Sequence, residues 1–348
     1  MAKRADFSIA GHTISPGSID LVHLALPGLH SETQVTMPVH VVHGRRDGPV
    51  LFISAAVHGD EINGVEVIRR LLLLNSLKRL KGTLLVVPVV NVYGFDGHSR
   101  YLPDRRDLNR CFPGREEGSL AARLASIFMR EIVLRSDLGI DLHTAAVNRD
   151  NFPQIRADLK DPQLNILARA FGAPVLLHSA PPEGSLRHAA AQIPVPVMVY
   201  EAGEALRFDE VSIRVALRGI INVMRDMSML PHARRKGIKP SVLLRSSSWV
   251  RASISGVLRA QAKLGDMVSR GDILGFISDP AGKTGETLES GSDGIIIGRS
   301  NIPLVYEGEA LFHIGKSHQT TLLEEQLSTL QDDDALTVPE LIEEPVIV

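Results

Sequence analysis

The chain has almost no cysteine. Cys111 stands alone among 348 residues, which excludes an intramolecular disulfide and a cysteine-built metal cluster and suits a reducing compartment. A surplus of one charge sign is also missing. Thirty-eight Lys and Arg against 40 Asp and Glu leave a formal net charge of −2, which offers no field for holding nucleic acid or an acidic membrane surface. No apolar run approaches the roughly 20 residues of a membrane span; the longest, near Leu71–Leu74, is far too short. The N-terminal Met1-Ala-Lys-Arg-Ala-Asp-Phe7 lacks the apolar core of a secretory signal. These absences set the expectation of a cytoplasmic protein with neither nucleic-acid nor membrane partners.

What is present is a globular composition, 44% hydrophobic and 22% charged, with length enough for two domains. Residues 1–45 read as short strands that pack on the catalytic-type domain beside them. Over 46–235, strand-type runs alternate with helical periodicity. Strands are expected at Val50–Val57, Thr83–Val90, Leu138–Leu142 and Pro196–Tyr200, and helices at Glu61–Leu77, Ser119–Arg135, Leu164–Phe171 and Asp209–Met229. A long polar loop spans Asn91–Gly118. This alternation predicts an α/β fold, a mostly parallel mixed sheet flanked by helices. After the polar connector Pro231–Gly237 the helical period disappears, and 241–315 reads as an all-β domain. Lys316–Val348 carries eight acidic residues against one lysine and reads as a mobile acidic tail with a short helix around Leu322–Leu330.

Chemistry-bearing residues collect at the ends of the expected strands. His58 and Glu61 lie three apart just after Val50-Leu-Phe-Ile-Ser54, where an open α/β sheet places its active site. An imidazole and a carboxylate at that spacing suit one divalent ion, zinc best of all. His143, closing Gly139-Ile-Asp-Leu-His143, is the candidate third ligand, and a His2Glu set leaves zinc a position open for water. Glu201, after the strand Pro196–Tyr200, is the candidate proton carrier. The loop Arg100–Gly114 is rich in guanidinium groups that could hold a carboxylate or steady an oxyanion. Within it, Asp107 suits the second ring N–H of a ligand histidine. Taken singly, each has a plainer reading: a capped turn for His58 and Glu61, a hydrogen-bonded core histidine for His143, an arginine partner for Glu201. Cys111 reads as a small buried residue, and His98, His178, His232 and His313 have no motif support as ligands.

His-Gly-Asp-Glu61, Asp107-Leu-Asn-Arg110, Asp141-Leu-His143 and Glu201-Ala-Gly203, in this order, resemble the succinylglutamate desuccinylase/aspartoacylase family of the zinc carboxypeptidase clan. The resemblance covers about residues 45–230. It implies one zinc ion per chain on His58, Glu61 and His143, and Glu201 as general base and acid. It also implies Arg100 as the group that polarises the scissile carbonyl, Asn109 and Arg110 as the pair binding a substrate carboxylate, Asp107 as partner of the first histidine, and a substrate-selecting arginine at Arg187. The Arg100-to-Asn109 spacing exceeds the aspartoacylase pattern by two residues, so Arg105 or Arg106 could take the place of Arg100.

The implied activity is zinc-dependent removal of an acyl group from a small N-acylated amino acid, by attack of zinc-activated water. A metallocarboxypeptidase acting on short peptides, or a non-catalytic zinc- or ligand-binding protein, are the alternatives. In the β region, Ser255–Gly275 resembles half of a biotinyl/lipoyl-type barrel. The intervening Asp279–Ser292 has Lys283 but no Met-Lys pair, so a wall over the active site or a homo-oligomer contact is expected rather than a carrier.

Overall fold

The computed structural model describes residues 4–232 and 240–316. The remainder of the connector and the acidic tail, with the helix expected at Leu322–Leu330, lie outside the described residues. Apolar runs with no polar face form the centre of the fold. In Arg46–Ala55, Leu51 and Ile53 point to one side of the sheet and Phe52 to the other; in Lys81–Val87, Leu84 and Val86 oppose Leu85 and Val87. Because successive side chains alternate, a strand that is apolar throughout must be covered on both faces. The helices Asn63–Leu72, Pro162–Phe171 and Glu210–Asp226 cover one face, and Leu120–Glu131 and Leu186–Ala191 the other. Ser119, Asp161, Ser185 and Asp209 cap four of these helices by accepting from backbone N–H groups of the first turn. The helix expected over Glu61–Leu77 is shorter than its periodicity suggested. It stops at Leu72, Leu74 turns to an extended conformation, and a 3-10 turn over Asn75–Arg79 buries Leu77.

The expected mostly parallel sheet is met as an unbroken parallel block at the centre, not across the whole sheet. Lys81–Val87, Arg46–Ala55, Leu138–Ala145 and Val197–Glu204 lie side by side and parallel. On one flank Val35–His43 and then Ser18–Leu26 add antiparallel, and on the other Arg149–Ala157 does the same. Among the described residues this thirteen-stranded sheet has five parallel and seven antiparallel pairings. It is a large mixed sheet with few helices, because its flanks grow mainly by antiparallel strands and by the C-terminal region, with one βαβ crossover from Arg149–Ala157 through Pro162–Phe171 to Val175–His178. Gly294–Ser300 pairs with Arg149–Ala157, and Ala310–Gly315 and Ser247–Arg251 extend the sheet further. Val242–Leu244 joins through Val175–His178. The rest of the all-β region forms a four-stranded sheet, Gly285–Glu289, Ile273–Ser278, Gly256–Ala260 and Leu304–Val305, over its own apolar core. Among the described residues no helix is long and apolar enough to cross a membrane.

Candidate active site

Parallel register assembles the site. Glu201 pairs directly with His143, and Asp141 with Ser54, across adjacent strands. His58 and Glu61 sit in the turn between Arg46–Ala55 and the helix that begins at Asn63. Gly59 is needed in that turn, since a Cβ there would lie 2.0 Å from the backbone carbon of Gly94.

His58, Glu61 and His143 are all buried, and one ligand atom from each lies within 4.8 Å of the other two. Their outer contacts fix which atoms face inward. His58 Nε2 lies 3.0 Å from Asp107 Oδ1, and His143 Nε2 lies 2.7 Å from Asp141 Oδ2, whose other oxygen accepts from Ser54 Oγ at 2.7 Å. Each carboxylate takes a ring N–H on the far side, which leaves both Nδ1 atoms turned towards Glu61. His143 Nδ1 is 2.7 Å from Glu61 Oε2. His58 Nδ1 is 2.7 Å from Glu61 Oε1, but the contact is too bent for a hydrogen bond, and this buried nitrogen has no hydrogen-bond partner. A buried donor set that converges while one member lacks a partner fits a metal ion; two imidazoles and a carboxylate are the donors zinc prefers.

Electrostatics point the same way. Burial alone would lower the pKa of both histidines, yet Glu61 and Asp107 raise that of His58, and Asp141 and Glu61 raise that of His143 well above its ordinary value. Burial would raise Glu61, but the two imidazoles hold it well below the usual carboxylate range. Asp107 is held low in the same way by His58 and Arg100 against its burial. Positive charge is therefore favoured at the centre of the cluster.

The remaining candidates line the same cavity of about 290 Å³, with the exception of Asp107, which stands behind its wall. Arg100 donates from Nη1 to Glu61 Oε1 at 3.0 Å and from Nη2 to Asp107 Oδ2 at 3.0 Å. Arg105 and Arg106 are exposed and outside the cavity, and Arg106 lies 3.8 Å from Asp104. Asn109 Oδ1 accepts from Leu186 N at 2.9 Å, and Arg110 Nη1 donates to the Asn109 carbonyl at 2.7 Å. Arg187 is buried and donates to the carbonyl and hydroxyl of Ser179; burial and the neighbouring Arg156 lower its pKa to about 10. Cys111 stays apart from the cavity, its thiol raised by burial and directed at the Asp107 carbonyl.

Sequence reasoning missed the supports of Glu201. Asn151 Nδ2 donates to Glu201 Oε2 at 2.7 Å, and Arg156 Nη1 lies 3.2 Å from Oε1. Both come from Arg149–Ala157, a strand whose central Pro153 argues against strand in the sequence alone. Arg149 and Trp249, which also face the cavity, were missed as well. A bulge lies just after Glu201, where Gly203 adopts φ +77° and a Cβ would meet Asn63 Nδ2 at 2.5 Å. Gly203→Val should lower stability by about 1–3 kcal/mol, from left-handed strain and overpacking. Unchanged denaturation midpoints would show that the bulge tolerates a side chain.

The catalytic-domain model of succinylglutamate desuccinylase/aspartoacylase matches residues 47–227. The chain belongs to this family. One relative is the N-alpha-acetyl-L-2,4-diaminobutyric acid deacetylase of Halomonas elongata, 27% identical over 256 residues that cover 70% of this chain and 75% of the relative. The product-bound ectoine utilization protein EutE (DoeB) of Ruegeria pomeroyi superposes with a TM-score of 0.78 at 24% identity, covering 86% of this chain and 95% of that one. The succinylglutamate desuccinylase/aspartoacylase of Rhodobacter sphaeroides gives 0.76 at 24%, covering 86% and 96%. At such identities these two structures show a common fold. Membership in the succinylglutamate desuccinylase/aspartoacylase family accounts for the four short motifs falling around one cavity.

Proposed function

We propose that this protein is a zinc-dependent hydrolase that removes the acyl group from a small N-acylated amino acid. The observation that carries the reading is the convergence of a buried His58–Glu61–His143 donor set with Glu201 and several guanidinium groups in one small cavity. Zinc held by the two Nδ1 atoms and the Glu61 carboxylate would polarise a carbonyl and bring the pKa of a water towards neutrality. Glu201 would take a proton from the attacking water and deliver it to the nitrogen as the C–N bond breaks. Asn151 and Arg156 hold its two oxygens in place for that transfer. Arg100 would turn its guanidinium to the oxygen that gains charge. Asn109, with Oδ1 committed to Leu186 N, offers Nδ2 beside Arg110 for the substrate carboxylate, and Arg187 adds a further cation in the wall.

A cavity of about 290 Å³ with Trp249 of the all-β region in its wall suits an acyl-amino acid better than a peptide. The lone Cys111 suits the cytoplasm. Zinc-loaded protein assayed for amine release should hydrolyse N-acyl amino acids in preference to dipeptides. It should stop on chelation and recover on adding zinc. Preferential cleavage of dipeptides would instead make it a carboxypeptidase, and zinc binding without any hydrolysis a binding protein.

A further inference from the structure

Most of the guanidinium groups around the cavity are already engaged. Arg100 is paired with Glu61 and Asp107, Arg156 with Glu201, Arg187 with Ser179, and Arg110 with the Asn109 carbonyl. Arg149 differs. Its guanidinium has no carboxylate or hydrogen-bond acceptor among the described residues, and its Cζ lies 5.3 Å from the centre of the Trp249 ring. Trp249 is in turn stacked on His313, with centroids 4.5 Å apart and planes 7° from parallel. Burial and Arg156 hold His313 far below its ordinary pKa, at about 3, so the imidazole against the indole is neutral. A guanidinium resting on an aromatic face is held in place while its N–H edge stays free to donate. Both Arg149 and Trp249 line the cavity that holds Glu61 and Glu201.

We infer that Arg149, braced on Trp249, is a specificity-determining residue that binds an anionic group of the substrate separate from the carboxylate taken by Asn109 and Arg110. The inference rests on the acyl-amino acid reading of the site and deepens it. The substrate carries a second carboxylate, on its acyl group or on its amino acid side chain. Trp249 lies outside the residues matched by the family model while Arg149 lies within them, so the proposed anion site joins the family's catalytic domain to the C-terminal region. A side-chain amine, as in diaminobutyrate, would meet repulsion here.

The test compares wild type, Arg149→Ala, Arg149→Lys, Trp249→Phe and Trp249→Ala on N-acetyl-alanine, N-succinyl-alanine and N-acetyl-aspartate. Wild type should favour one of the two doubly carboxylated substrates, and which one identifies the end that Arg149 reads. Arg149→Ala should cut the preference for that substrate over N-acetyl-alanine about 10–100-fold, mainly through KM. Arg149→Lys should recover part of the preference. Trp249→Phe should keep most of it, and Trp249→Ala should lose it. Calorimetric binding of the same three compounds to zinc-loaded Glu201→Gln, with and without Arg149→Ala, gives the same comparison without turnover. Absence of hydrolysis with charge-selective binding would overturn the proposed function but keep Arg149 as the anion site. A wild type indifferent to the second carboxylate, or an Arg149→Ala variant weakened equally on all three compounds, would overturn the inference.

Discussion

Glu201→Gln should abolish nearly all turnover, a fall of about 10³-fold or more, while metal content and folding stay as in wild type. A positioned proton carrier contributes on the order of 10²–10⁴ to rate, and in the proposed mechanism one carboxylate serves both the attacking water and the departing amine. Glutamine is nearly isosteric, and its carbonyl can still accept from Asn151 Nδ2, so the cavity keeps its shape. What it cannot do is take up a proton at neutral pH. The measurement is single-turnover amine release beside zinc analysis of the same sample. Retained activity with full zinc would remove Glu201 from the chemistry. Loss of both activity and zinc would mean the residue supports the metal cluster instead.

His143→Ala should lose metal almost completely, because it removes one of the three proposed ligands and leaves Asp141 buried without its ring N–H partner. The intact site should also bind metal in a pH-dependent way, and the raised histidines set the sign. Without metal, the neighbouring Glu61, Asp107 and Asp141 favour the protonated form of His58 and His143, and binding must displace the protons they hold. Affinity should therefore climb as pH rises, roughly tenfold per unit for each proton released, and level off above the raised pKa values. Stability of the metal-free protein should run the other way. The histidines' contribution is complete below their unfolded value near 6.5 and lost as pH rises through the raised folded values. Chelator competition and thermal melts across pH, with and without zinc, measure the two trends. Metal affinity that does not change with pH would show that the inward nitrogens are not the ligands.

Much of this site is legible in the sequence because its parts end apolar runs. His58, His143 and Glu201 each close a stretch of β-branched and leucine residues, and a buried parallel strand must deliver its last side chains to one sheet edge. The supports are harder to read. Asn151 and Arg156 lie in Arg149-Asp-Asn-Phe-Pro-Gln-Ile-Arg-Ala157, where polar residues and a proline mask a strand that exists because it has partners on both sides. No local signal pairs Trp249 with His313, since that depends on antiparallel register between strands more than 60 residues apart in the chain. The same physics explains the excess of antiparallel pairing. Alternation in Ser18–Leu26 marks a strand, but only tertiary structure gives its direction.

One row of cross-strand neighbours runs from Trp249 to His313, Gly298 and Asn151, and Asn151 holds Glu201. Gly298 leaves room for this row, for a Cβ there would meet Asn151 Oδ1 at 2.8 Å and His313 Cβ at 3.3 Å. No seam therefore divides the hydrolytic half from the C-terminal strands. A fragment cut at the connector would expose bare strand edges along Arg149–Asn151 and Val175–Leu177 and loosen Glu201 together with the cavity wall at Trp249. The C-terminal region cannot be traded between relatives as a detachable accessory. An exchange that alters selectivity at Trp249 also reaches the strand that steadies Glu201, so choice of substrate and speed of reaction must evolve together.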